Sequence, residues 1–202
     1  MSRKRAGGGR GFTLIELLIV MALLGIILTM GYTALTSMLV RGKMVGAANQ
    51  TASLVRLARF EAIKRGQTVY FVADTAGKAA WVYADRNQSG AYEVAQDGPI
   101  LSRYDLPSGV LLAGPGDFVE GNSTAVVGFT GSQAGFATNG SVDNLGAIRL
   151  RDGRGNLLEV RVSPASTARV AIRKYFGDPT SATDDLTQYF ENGEASHTWT
   201  WQ

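Results

Sequence analysis

A chain of 202 residues, 45% of them apolar, can hold one ordinary domain plus an appendage, and wholesale disorder is excluded. It has no cysteine and a single histidine, His197. Disulfides, thiolate metal sites, cysteine nucleophiles and multi-histidine metal centres are therefore excluded, and no enzyme is expected. The formal charge of +3 belongs to the first residues: without Arg3, Lys4, Arg5 and Arg10 the chain carries 16 cations against 17 acids, so a globally basic nucleic-acid binder is not indicated.

After this basic, glycine-rich start the texture turns apolar. From Leu17 to Met30 only Thr29 is polar, and small or apolar residues continue to Val40 before Arg41 and Lys43. As a helix, residues 12–40 would be about 44 Å long at 1.5 Å per residue. That exceeds a hydrocarbon core of ~30 Å. Cationic flanks mark the cytoplasmic side of such a segment. A buried core helix, which rarely has such basic flanks, and a secretory signal peptide, which leaves Glu16 unexplained, are the alternative readings. Gly25 and Gly31 interrupt the run, either as points of local melting or as places where helices approach closely.

The sequence Gly11-Phe12-Thr13-Leu14-Ile15-Glu16, following a short basic leader, resembles the class III signal of type IV pilins and type II secretion pseudopilins. The resemblance implies cutting between Gly11 and Phe12 by a prepilin peptidase and methylation of the new Phe12 amine. A carboxylate in lipid costs ~2.5–3.5 kcal/mol on insertion scales and persists if a partner neutralises it. The cut would create that partner, and pairing of the amine with Glu16 of a neighbour would set assembly register, as buried polar residues do in coiled coils.

Beyond Arg41 an amphipathic pattern begins. Val45, Ala48, Ala52, Val55, Ala58 and Ala62 recur at three- and four-residue steps, and Gly66 ends the pattern, so one helix is predicted over about 13–65. From Thr68 the texture is β. "TVYFVA" and "AAWVYAD" flank the turn "DTAGK", and "PILSRYD" and "GVLLAG" follow. A glycine-rich stretch, 114–146, holds short strands at "AVVGF" and "GFAT". "AIRLRD", "LLEVRVS" and "ARVAIRKYF" read as three consecutive antiparallel strands. The expected class is α+β: a pilin-like fold, with a long N-terminal helix packed on antiparallel sheet. The expected divisions are leader 1–11, membrane or filament-core helix 12–40, amphipathic helix 41–66, periplasmic β domain 67–174 and acidic aromatic segment 175–202.

The phrases "ARFEAIKRGQTVYF", "WVYADRNQSGAYEVAQDGPIL" and "VRVSPASTARVAI" are similar to the GspH/FimT family of minor pseudopilins and minor pilins. The resemblance implies a single-pass subunit of the bacterial inner membrane with a periplasmic domain. Its partners would be the prepilin peptidase, inner membrane lipid and other (pseudo)pilins in a filament. No cofactor is implied. A DNA-binding minor pilin of an uptake machine is the alternative, and a signal-anchored periplasmic enzyme a second.

Three constellations stand out in the body. Asp85, Asn87, Ser89 and Glu93 match the opening of a calcium loop; the twelfth position is Gln96 rather than a bidentate glutamate, so a polar hairpin turn between Trp81–Ala84 and Tyr92–Val94 is the preferred reading. On the last three strands, period two puts Arg149, Arg151, Arg161, Arg169 and Arg173 on one face, opposed only by Glu159. That face reads as solvated, as a contact for acidic neighbouring subunits, or as a site for DNA phosphates. Finally, Asp178, Asp184, Asp185, Glu191 and Glu194 share the last segment with Phe176, Tyr189, Phe190, Trp199 and Trp201 and with no lysine or arginine, a flap on the domain or a docking segment.

Overall fold

A computed structural model describes residues 12–114, 125–154 and 156–174, the side chains at 30, 31, 33, 34 and 127 excepted. The expected leader, with Gly11, and the acidic aromatic segment lie outside the described residues. Helix α1 spans Leu14–Arg65, within a residue of the predicted start. The chain divides into two units, one up to Leu39 and one from Val40 on.

In the first unit, the described side chains from Leu14 to Leu39 other than the half-buried Thr36 are exposed around the helix, including Ile15, Leu18, Met21, Leu24, Leu28 and Met38. A helix that is apolar all round needs lipid or other helices about it. Among the described residues no helix is long and apolar enough to cross a membrane.

In the second unit α1 supplies one wall of the core. Ala47, Ala48, Ala52, Val55, Ala58 and Ala62 are fully buried, joined by Met44 and Leu54. Their small size lets the helix lie close to the sheet residues Val69, Phe71, Val82, Phe136, Ile148 and Val160, with which they form one cluster. The helix ends as its sequence dictates. Lys64 and Arg65 occupy the last turn, and Gly66, at φ +64°, donates its N–H to Ala62 O at 3.0 Å. Arg65 donates to the Glu61 carboxylate one turn back, which holds that carboxyl below its ordinary range.

Two antiparallel sheets complete the core. The first contains β1 (Val69–Asp74), β2 (Ala79–Ala84), β3 (Ser102–Asp105) and β6 (Gln133–Phe136), in the order β3-β2-β1-β6. The second contains β4 (Val110–Leu112), β7 (Gly146–Asp152), β8 (Leu157–Val162) and β9 (Val170–Lys174), in that order, and β5 (Val126–Val127) also pairs with β7. The β1–β2 register sets Val72 opposite Trp81 and Tyr70 opposite Tyr83. Phe71 and Val82 then face the core while the aromatics share the other side.

Those aromatics are covered by the chain after β2. Tyr92 meets Trp81 and Tyr83 edge-on, with ring centroids 5.0 and 5.1 Å apart, and Tyr70 stacks on Tyr83 at 5.4 Å. The Tyr83 hydroxyl is buried and has no hydrogen-bond partner among the described residues. Burial, followed by the nearby Asp85 charge, pushes its pKa up. A buried hydroxyl without a partner costs about 1–3 kcal/mol. Tyr83→Phe is therefore expected to raise the thermal midpoint of the detergent-solubilised chain; a fall of similar size would show that the hydroxyl is satisfied.

Candidate assembly site

The first candidate site is the start of α1. Phe12 is 76% exposed and Glu16 stands in the first helical turn. Thr13 caps the helix: its Oγ1 accepts the Glu16 N–H at 3.3 Å, and its carbonyl accepts the Leu17 N–H at 3.2 Å. Threonine followed three places later by glutamate is the capping-box pattern, and a carboxylate in the first turn also suits the helix dipole. Glu16 thus has a local role at the helix start beside the assembly role expected from its motif. The Phe12 amine of a cut chain would begin about one turn before that carboxylate.

The second candidate is the arginine face. The strand register puts Arg149, Arg151, Arg161 and Arg173 on one side, with Arg149 opposite Glu159 and Glu159 opposite Arg173, while Arg169 lies just before β9. Exposure corrects the reading of that side as solvated. Arg149 and Arg151 retain only 2% and 3% of their exposure and Glu159 1%; Arg161 and Arg173 are half-buried, and Arg169 is exposed. Arg149 Nε lies 3.2 Å from Glu159 Oε2. Period two tells which face a residue takes but not whether that face is covered. Leu157 opposite Arg151 and Ala147 opposite Arg161, both buried, are the signals of cover that went unread. A partner or DNA therefore reaches Arg169 without rearrangement, but not Arg149 or Arg151.

The calcium-like loop is closed by its own carboxylates. Asp85 accepts the N–H groups of Ser89 and Gly90 at 3.1 and 3.0 Å. Asp97 accepts those of Arg86 and Glu93 at 2.9 and 2.8 Å. Asn87 donates to Glu93 and Gln96. Among the described residues no group of three or more histidine, aspartate or glutamate side chains could hold a metal ion. The expected strand at Tyr92–Val94 is also corrected: Val94–Asp97 is a single helical turn, α2. The buried Asp97 explains it, because a carboxylate that binds Arg86 N and Glu93 N folds the chain back between them. Hydrogen bonds to a charged group contribute roughly 1.5–3 kcal/mol. Asp97→Ala is expected to destabilise by at least about that much, while millimolar calcium leaves the thermal midpoint of the unsubstituted chain unchanged. A calcium-dependent rise would restore the cation reading.

Comparison with known proteins bears on the whole of this frame. Residues 9–32 match the prokaryotic N-terminal methylation motif, and residues 47–166 match the family described as type II transport protein GspH. The chain belongs to the GspH family. It is thus a pilin-type subunit, a minor pseudopilin or minor pilin of type II secretion or type IV pilus systems. Similar solved structures include two minor subunits. The minor pseudopilin EpsH of the Vibrio cholerae type II secretion system is 13% identical, with 64% of this chain and 96% of that one covered and a TM-score of 0.45. The type IV minor pilin FimU of Pseudomonas aeruginosa is also 13% identical, with 71% and 95% covered and a TM-score of 0.43. No curated protein sequence matches significantly.

Within this GspH-family domain one surface escaped the sequence reading. Arg56, Arg59, Phe60 and Ile63 of α1 line a shallow groove of about 660 Å³ together with Arg169 and Val170. The signal was available: phenylalanine and isoleucine off the buried stripe, three residues apart, between arginines.

Proposed function

We propose that the chain is a minor pseudopilin or minor pilin whose work is mechanical. Residues 12–40 anchor it in the inner membrane, with the domain in the periplasm. A prepilin peptidase cuts between Gly11 and Phe12 on the cytoplasmic side, and the new Phe12 amine is methylated. The subunit then enters a periplasmic filament, where Glu16 meets the amine of a neighbour. The match of residues 9–32 to the N-terminal methylation motif, with Glu16 held in the first turn of α1, carries this reading.

Chemically, the cut turns an amide into a cation about one helical turn from an acid, the arrangement that lets a carboxylate persist in an apolar assembly. The test is intact-mass spectrometry of the chain from cells with and without prepilin peptidase. With the enzyme, the chain should lack residues 1–11 and carry one extra methyl group; without it, the full mass should persist. An uncut chain in both strains would end the proposal.

A further inference from the structure

Phe60 and Ile63 are 59% and 51% exposed, although the same stretch of α1 buries Ala58 and Ala62 completely. Outside the first unit the only other exposed large apolar residues among those described are Val94 and Leu145. Phe60 and Ile63 thus form a paired apolar spot on the domain. Cations surround it. Arg59 Nε donates to Gly140 O at 3.0 Å, which fixes one wall. A Cβ at Gly140 would lie 2.8 Å from Ile63 Cδ1, so a side chain there would have to push the end of Ile63 aside. Lys64 Nζ stands 5.9 Å from the Phe60 ring centre. Arg169 also lines the groove, and among the described residues no carboxylate does. Among the described residues Arg56 and Arg169 have no ion-pair partner.

An exposed aromatic and a branched aliphatic, ringed by unpaired guanidinium groups, have the composition of an interface: an apolar centre with a charged rim. A purely apolar occupant would desolvate the arginines without compensation. A nucleic acid duplex would satisfy the arginines through its phosphates but leave Phe60 and Ile63 with nothing to bury against. A peptide segment bearing carboxylates and one large apolar side chain satisfies both.

We propose that this groove docks an acidic segment with an aromatic or large aliphatic anchor, presented by a neighbouring filament subunit. The inference rests on the filament-subunit reading above and names the partner's chemistry. The test places a photo-crosslinking phenylalanine analogue at Phe60 of the full chain, in cells that hold the rest of the machinery. A second chain carries the analogue at Met21, in the apolar helix, as a control. Phe60 should cross-link to another pilin-type subunit, on a peptide containing aspartate or glutamate. Arg56→Glu with Arg169→Glu should lower that yield at least about tenfold, the equivalent of ~1.4 kcal/mol, and leave the Met21 cross-link intact. Arg56→Gln with Arg169→Gln should give a smaller loss, which separates lost attraction from misfolding. Met21 cross-links without any at Phe60 overturn the groove alone, as does a Phe60 cross-link to residues 175–202 of the same chain or to DNA. Absence of both cross-links overturns the filament reading and the groove with it.

Discussion

A Glu16→Ala chain is expected to enter the membrane and be cut after Gly11, yet to be depleted from the filament by on the order of a hundredfold or more. Removing one member of a buried charge pair costs about 3–5 kcal/mol, because the other is left uncompensated, and each ~1.4 kcal/mol is tenfold. The variant has two local effects that must be told apart. It takes away the partner of a neighbour's Phe12 amine, and it takes a first-turn carboxylate from α1. The second is worth only about 0.3–1 kcal/mol. Thr13→Ala separates them. It deletes the Oγ1 that receives the Glu16 N–H, costs ~1 kcal/mol as a lost cap, and keeps the carboxylate. Filament recovered by shearing or by cross-linking should therefore be near normal for Thr13→Ala and nearly absent for Glu16→Ala. Equal behaviour of the two would reduce Glu16 to a helix-start residue, and normal assembly of Glu16→Ala would sink the register mechanism.

The parts that sequence conveys well are those governed by local periodicity. The alanine stripe from Ala48 to Ala62 has the 3.6-residue repeat of a buried helix face, and those residues are fully buried. The β7–β8–β9 register follows from alternating apolar residues and two turn-rich breaks. Features decided by distant contacts were harder to read. The α2 turn depends on Asp97 reaching back eleven residues to Arg86 N, and no periodicity encodes that bond. The burial of Arg149 and Arg151 depends on what covers the second sheet, a question that strand alternation leaves open. The groove at Phe60 arises where α1 meets the approach to β9, more than a hundred residues later. At the start of α1 the motif was legible, but its double use was not: the same glutamate that completes the pilin-type signal also occupies the third place of a capping box.

Arg149→Ala is expected to cost about 3–5 kcal/mol, because it leaves the buried Glu159 carboxyl without its partner. The pair is nearly sealed, with side-chain exposures of 3% for Arg149 and 1% for Glu159. Arg149 reaches only one of the two carboxylate oxygens; Oε1 of Glu159 has no hydrogen-bond partner among the described residues. Burial therefore raises the Glu159 carboxyl above its ordinary value, while Arg149, and more weakly Arg161 and Arg173, pull it back. A folded acid with a raised pKa binds its proton more tightly than the unfolded chain does. That contribution is present below the unfolded carboxyl value of ~4.3 and disappears as pH rises through the folded value. Without Arg149 the carboxyl rises further, so the cost of Arg149→Ala should shrink as the pH is lowered from 8 toward 5. Urea denaturation of the full chain at the two pH values measures this directly, and an equal cost at both would show that packing, not charge, is lost. The double change Arg149→Met with Glu159→Leu should recover most of the stability, because it removes both buried charges and keeps the volume. If it does not, the ion pair is held in place by further polar partners of Arg149 that the apolar pair cannot replace.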